Sequence, residues 1–138
     1  MLIDSHCHLH FPDLKDDLDD IVKDAVKAGL IYLVTISTRL SQASDIEKVM
    51  DAYAVVYGTT GVHPCEAYHD DALYDAIIAA VNHPKIVGLG ETGLDYLHQS
   101  VDPLVQQSCF EAHIEAANTL QLPLIVHTRE AEQDTLAL

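Results

Sequence analysis

Five short runs of aliphatic and β-branched residues alternate with stretches of helical periodicity, and that alternation leaves the chain very few folds to choose from. The clearest run is Leu30-Ile-Tyr-Leu-Val-Thr-Ile-Ser37, whose near-continuous apolar character predicts a strand buried on both faces. Leu2 and Ile3 open a short buried strand before it, and Val55–Thr60, Lys85–Glu91 and Leu122–His127 repeat the pattern. Between the first two runs, Leu14, Leu18, Ile21, Val22, Ala25 and Val26 recur every three to four positions. They mark one face of an amphipathic helix over Asp13–Ala28, stopped by Gly29. Further helices are expected from Ser41 or Ser44 to Tyr53, from Asp70 to Asn82 before the His83-Pro84 break, and from Pro103 to Leu120. Another opens at Thr128-Arg129-Glu130 and is still running at Leu138. Strand and helix alternating in steps of roughly 25 to 35 residues specify βαβ units and a parallel sheet. No linker or low-complexity segment divides residues 1–138, so one α/β domain is expected.

Composition narrows the class. The chain is 49% hydrophobic, enough for a real core, yet no stretch of about 20 apolar residues could span a membrane. Three widely spaced cysteines without a CxxC pair, and no secretory-type leader, lead to the expectation of a cytoplasmic protein with reduced thiols. A formal charge of −15 argues against a protein that grips nucleic acid with a basic surface. It leaves a phosphate substrate open, because bound divalent cations can supply positive charge locally.

The nine histidines are informative by position. In a strand, residues two apart share a face, so His6 and His8 would project side by side while Cys7 points away. On a helix they would diverge by about 200°. Two imidazoles on one strand face form half of a metal site, although a pair of hydrogen-bonded surface histidines fits these residues equally well. The other strands end in Ser37-Thr38, His63, Glu91 and His127, so four of five carboxyl ends carry a metal-compatible or acid/base side chain. In parallel α/β folds that edge of the sheet is where sites form. Imidazoles with one carboxylate suit Zn²⁺, Mn²⁺ or similar ions.

The segments Asp4-Ser-His-Cys-His-Leu9, Gly61-Val-His-Pro64, Gly90-Glu-Thr-Gly-Leu-Asp-Tyr96 and Pro123-Leu-Ile-Val-His-Thr-Arg129 resemble the signatures of the TatD family. Those are metal-dependent deoxyribonucleases of the amidohydrolase superfamily, built on a TIM-type barrel. The resemblance implies that His6 and His8 bind one divalent ion, that Glu91 bridges two, and that His127 binds the second, with Mg, Mn or Zn as the ions. It implies a catalytic place for His63 beside the substrate phosphate or the activated water, and for Glu91. Asp95 and Arg129 would be supporting or substrate contacts, and Asp4, on the face of His6, could orient that ring from behind. Structural roles compete with these: His63 could shape the turn before Pro64, and Arg129 and Asp95 could form a salt bridge. His10, His69, His83, His98 and His113 are assigned to the surface or to helices, and Cys65 and Cys109 to small apolar packing.

The function so implied is hydrolysis of DNA phosphodiester bonds by metal-activated water. Two alternatives stand beside it: a related hydrolase acting on an ester or amide, such as an aminoacyl-tRNA, or a non-catalytic fragment. A closed barrel of this type needs about 250 residues, and the family's histidine after the sixth strand and aspartate after the eighth have no counterpart before Leu138. The expected fold is therefore a partial TIM-type barrel ending after the fifth strand and the start of the next helix. Its activity would be impaired, and its exposed edges would favour self-association.

Overall fold

The computed structural model describes residues 2–138. Five strands, β1 (Leu2–Cys7), β2 (Leu30–Thr35), β3 (Val56–Thr60), β4 (Ile86–Asp95) and β5 (Leu124–Arg129), form one parallel sheet in sequence order. Helices α1 (Leu18–Lys27), α2 (Ala43–Ala52), α3 (Leu73–Ala80), α4 (Pro103–Leu120) and α5 (Glu132–Ala137) follow the strands in turn. The sheet curls into half of a barrel.

Burial of apolar residues between sheet and helices sets this arrangement. Leu33 and Val56 pack on Val22 of α1 and on Ile46, Val49 and Met50 of α2. Leu89 packs on Leu73 and Ile77 of α3 and on Cys109, Ala116 and Ala117 of α4. Each large aliphatic side chain so buried contributes about 1.5–3 kcal/mol. Helix α4 is well started: the Asp102 carboxylate accepts from the Leu104 amide at 2.8 Å and Pro103 sits in the first turn.

Several boundaries differ from expectation. The first helix begins at Leu18, with a separate 3₁₀ turn at Pro12–Leu14, because Pro12 starts a turn that the chain leaves at Lys15. Strand β4 does not stop at Glu91 but runs to Asp95, paired with β5 through Asp95 and Arg129. Glycine makes that approach possible: a Cβ on Gly90 (φ +132°) would stand 2.5 Å from the Ile125 carbonyl oxygen, and on the other side of β4 one on Gly61, just past β3, would stand 2.5 Å from the Cα of Gly90. Strand β5 in turn absorbs Thr128 and Arg129, so α5 starts at Glu132.

Burial of the strands is also less symmetric than expected. Leu2 and Ile3 are 61% and 56% exposed, and Tyr32 of β2 is exposed too. Leu33 faces the helices, so by alternation Tyr32 faces the concave side, where the sheet does not close. The expected exposed edges are present as β1 and β5.

Candidate metal centre

Strand ends bring the expected residues together. His6 is the last residue but one of β1 with His8 just beyond the strand, His63 follows β3, and Glu91 and His127 lie inside the lengthened β4 and β5. Nε2 of His6 is 3.3 Å from Oε2 of Glu91, and the His6 and His8 rings are 5.3 Å apart between centroids. On the other side of Glu91, its Oε1 is 3.1 Å from Nδ1 of His127, which is 3.3 Å from Nε2 of His63. Two donor groups result, His6–His8–Glu91 and His63–Glu91–His127, each with ligand atoms within 4.8 Å of one another. Glu91 belongs to both.

Hydrogen bonds fix which nitrogen each ring presents. Nδ1–H of His8 donates to the Ile36 carbonyl at 2.8 Å, which leaves Nε2 bare for a cation. Phe11 stacks on the same ring at 4.8 Å. His127 donates from Nε2–H to Oδ2 of Asp95 at 3.0 Å, so its Nδ1 carries a lone pair. That lone pair faces Oε1 of Glu91, also an acceptor, across 3.1 Å. Nε2–H of His63 reaches the same Nδ1 at 3.3 Å and donates to it. His63 must hold that proton, since its Nδ1 already accepts from the Cys65 amide at 3.1 Å. Two acceptors, Nδ1 of His127 and Oε1 of Glu91, thus share the one proton of His63; a divalent cation would satisfy both, and histidine with carboxylate is a donor set suited to Zn²⁺ or Mn²⁺.

Electrostatics agree with these proton positions. Burial, with His127 alongside, pushes His63 below its ordinary value, so the ring is neutral at neutral pH. Burial works to raise the Asp95 carboxyl, but hydrogen bonds from the His98 amide, the His98 ring and His127 outweigh it and hold the group well below the usual carboxylate range. Asp95 is fully buried and accepts from Leu97 N, His98 N, His98 Nδ1 and His127 Nε2.

Other expected residues sit differently. Asp4 does not orient the His6 ring; its Oδ1 accepts from the His6 backbone amide at 3.1 Å. Asp95 pairs with His98 and His127 rather than with Arg129, which is exposed at the end of β5. His63 does shape its turn as well as facing the centre. Two histidines assigned to surface or helix have more specific places: His98 is the second partner of Asp95, and His113, on α4, is completely buried. Only the three-residue spacing of Asp95 and His98 hinted at the first; nothing local marks the second. Cys65 lies near Asp95 and His98, but the hydrogen bond between those two accounts for their closeness.

Residues 3–138 match the family model described as TatD related DNase. The chain is 33% identical to an uncharacterised metal-dependent hydrolase of Buchnera aphidicola over 147 residues, covering 99% of this chain and 56% of that protein. It is 35% identical to a 3'-5' ssDNA/RNA exonuclease TatD of Citrobacter koseri over 127 residues, covering 88% of this chain and 47% of the relative. The crystal structure of the TatD homologue YJJV from Escherichia coli superposes with a TM-score of 0.89 at 25% identity, over 99% of this chain and 54% of that one. The chain thus spans about half the length of the curated relatives it matches. Among the described residues, no helix is long and apolar enough to cross a membrane.

Proposed function

We propose a phosphodiesterase function for this chain, which belongs to the TatD related DNase family: hydrolysis of nucleic-acid phosphodiester bonds, with DNA as the substrate, at the centre shared by Glu91. One divalent ion would be held by His6, His8 and Glu91, and a second by Glu91 and His127, with His63 beside it. Ions bound there would lower the pKa of a water towards neutrality and offset charge building on the phosphoryl oxygens.

The chain's own groups have distinct tasks in this reading. The Ile36 carbonyl and the Asp95 carboxylate each hold a ring proton on the side away from the centre, so His8 and His127 offer lone pairs towards it. His63, neutral and protonated at Nε2, donates a hydrogen bond to a phosphate or leaving-group oxygen; its Nδ1 is occupied, so it is poorly placed to take a proton from water. Arg129, exposed at the same sheet edge, attracts the anionic backbone to a chain of net charge −15.

The observation that carries this reading is the pair of acceptors, Nδ1 of His127 and Oε1 of Glu91, 3.1 Å apart with His63 on one side and the His6–His8 pair on the other. The name of the Citrobacter koseri relative supports single-stranded DNA, with RNA as the second substrate to try. The test is cleavage of end-labelled single-stranded DNA and RNA oligonucleotides with Mg²⁺, Mn²⁺ or Zn²⁺ and with EDTA. Metal-dependent cleavage, abolished in Glu91→Gln, is expected. Hydrolysis that survives chelation, or none with any of the three ions, overturns the reading.

A further inference from the structure

We propose that helix α4 sets the orientation of His127 and His63 through two buried polar side chains, Gln106 and His113, acting as positioning residues for that half of the centre. Its metal readout rests on the cation reading above; its structural readout does not.

Seven residues, two helical turns, separate Gln106 from His113, so both lie on the buried face of α4 with Cys109, Phe110, Ala116 and Ala117. Apolar residues would fill that face without desolvating polar groups. Instead Gln106 is 1% and His113 0% exposed, and each sends at least one hydrogen bond to backbone beside the centre.

Gln106 holds Asp95 from both sides of its α-carbon. Its Oε1 accepts from the Asp95 amide at 2.7 Å, while Nε2 donates to the Asp95 carbonyl at 3.0 Å and to the Val101 carbonyl at 2.9 Å. Two bonds of opposite polarity on one residue fix the direction in which its side chain leaves the strand. That side chain then takes the Nε2–H of His127. A comparable tether reaches His63. Nδ1–H of His113 donates to the Cys109 carbonyl at 2.7 Å, one turn back on the same helix, so its Nε2 is left as an acceptor for the Val62 amide at 3.1 Å. Val62 immediately precedes His63, whose own amide is held by the Thr38 carbonyl.

The other half of the centre is anchored elsewhere. His8 is oriented by the Ile36 carbonyl, and the Glu91 amide by the Ser37 carbonyl. Disturbing α4 at these two positions should therefore act on His127 and His63 and spare His6 and His8. A purely space-filling role for Gln106 and His113 predicts lost stability with no such selectivity.

The experiment uses the 138-residue chain with Gln106→Met, His113→Leu, His113→Gln and, as a control of core packing on α3, Ile77→Ala. Ring ¹H–¹⁵N spectra of the metal-free protein are expected to show the His127 Nε2 proton in slow exchange. Gln106→Met should speed that exchange at least about tenfold, and His113→Leu should do the same to the Val62 amide and shift the His63 ring signals. His113→Gln, whose side-chain oxygen can still accept, should restore protection of the Val62 amide. Ile77→Ala should lower the melting temperature and leave all of these signals in place. Calorimetry with Zn²⁺ alone should show uptake at the His127 half weakened about tenfold in Gln106→Met and the His6–His8 half unaffected.

Unchanged ring and amide signals in Gln106→Met and His113→Leu, or the same losses in Ile77→Ala, overturn the proposal. Should either variant fail to fold, the wild type decides: Asp95 and Val62 amides exchanging as fast as surface loops overturn it, and exchange at the rate of the core supports it. A wild type that takes up no Zn²⁺ while the variants still change the ring signals leaves the positioning role standing and removes the cation reading.

Discussion

Nε2 of His127 lies 3.0 Å from Oδ2 of Asp95, a carboxylate with no exposed surface. The bond turns the opposite ring nitrogen, Nδ1, towards Glu91 as a lone pair rather than as a proton. A buried carboxylate behind a histidine is how a protein fixes the tautomer and raises the basicity of a ligand ring.

Asp95→Asn should therefore act at a distance. The amide can offer a proton where the carboxylate accepted one, favouring the tautomer with the proton on Nδ1, pointed at Glu91. Zn²⁺ affinity measured by calorimetry is expected to fall by about 10- to 100-fold. Affinity equal to that of the wild type would show that the bond does not orient the ring.

Glu91 is common to both donor groups, whereas His8 belongs to one. Glu91→Gln should remove both metal-binding events, and His8→Ala only the event at the His6 side. Equilibrium dialysis with Mn²⁺ separates these outcomes by stoichiometry; equal losses in the two variants would contradict a shared bridging carboxylate.

Ions that bind the folded chain alone stabilise it by mass action. At a free concentration near 100 times Kd the gain is about 2.7 kcal/mol. Chelation with EDTA is expected to lower the melting temperature by several degrees, read by calorimetry or circular dichroism. A melting temperature indifferent to chelator would argue that the folded chain binds no ion.

Burial pushes His113 below the ordinary histidine value of 6.5, with its bond to the Cys109 carbonyl only partly opposing. A folded pKa beneath the unfolded one means the unfolded chain binds the extra proton first. The stability contributed by neutral His113 is thus complete above the unfolded value and is lost as pH falls below about 6.5. Urea unfolding between pH 5 and 7.5 should show that decline, and His113→Gln should flatten it. His10 and His63 are shifted in the same direction and leave a residual slope.

Leu2, Ile3 and Val126 expose 61%, 56% and 46% of their surface on the two edge strands. Edges of this kind recruit further strands. The chain alone is expected to self-associate, with Ile3→Lys shifting sedimentation towards monomer. A cooperatively melting, monodisperse monomer at high concentration would contradict this.

Much of the molecule was legible in its sequence. Apolar runs located all five strands and helical spacing located the helices between them, because both signals arise among residues that neighbour one another along the chain. The positions of His6, His8, His63, Glu91 and His127 followed as well, since a parallel sheet gathers its carboxyl ends along one edge. The four family-like segments lie on the elements that carry them.

What periodicity could not supply depended on contacts between distant residues. The extension of β4 to Asp95 runs against the weak strand preference of its glycines and is imposed by pairing with β5. Likewise, the burial of His113 depends on the Val62 amide, 51 residues away, and the partnership of His127 with Asp95 spans 32. The exposure of Leu2, Ile3 and Tyr32 follows from the curvature of an unclosed sheet rather than from their own hydrophobicity. Sequence determined which side chains reach the rim; only the folded backbone decided which nitrogen of each ring keeps its proton, because that choice belongs to the hydrogen-bond partner the fold brings to it.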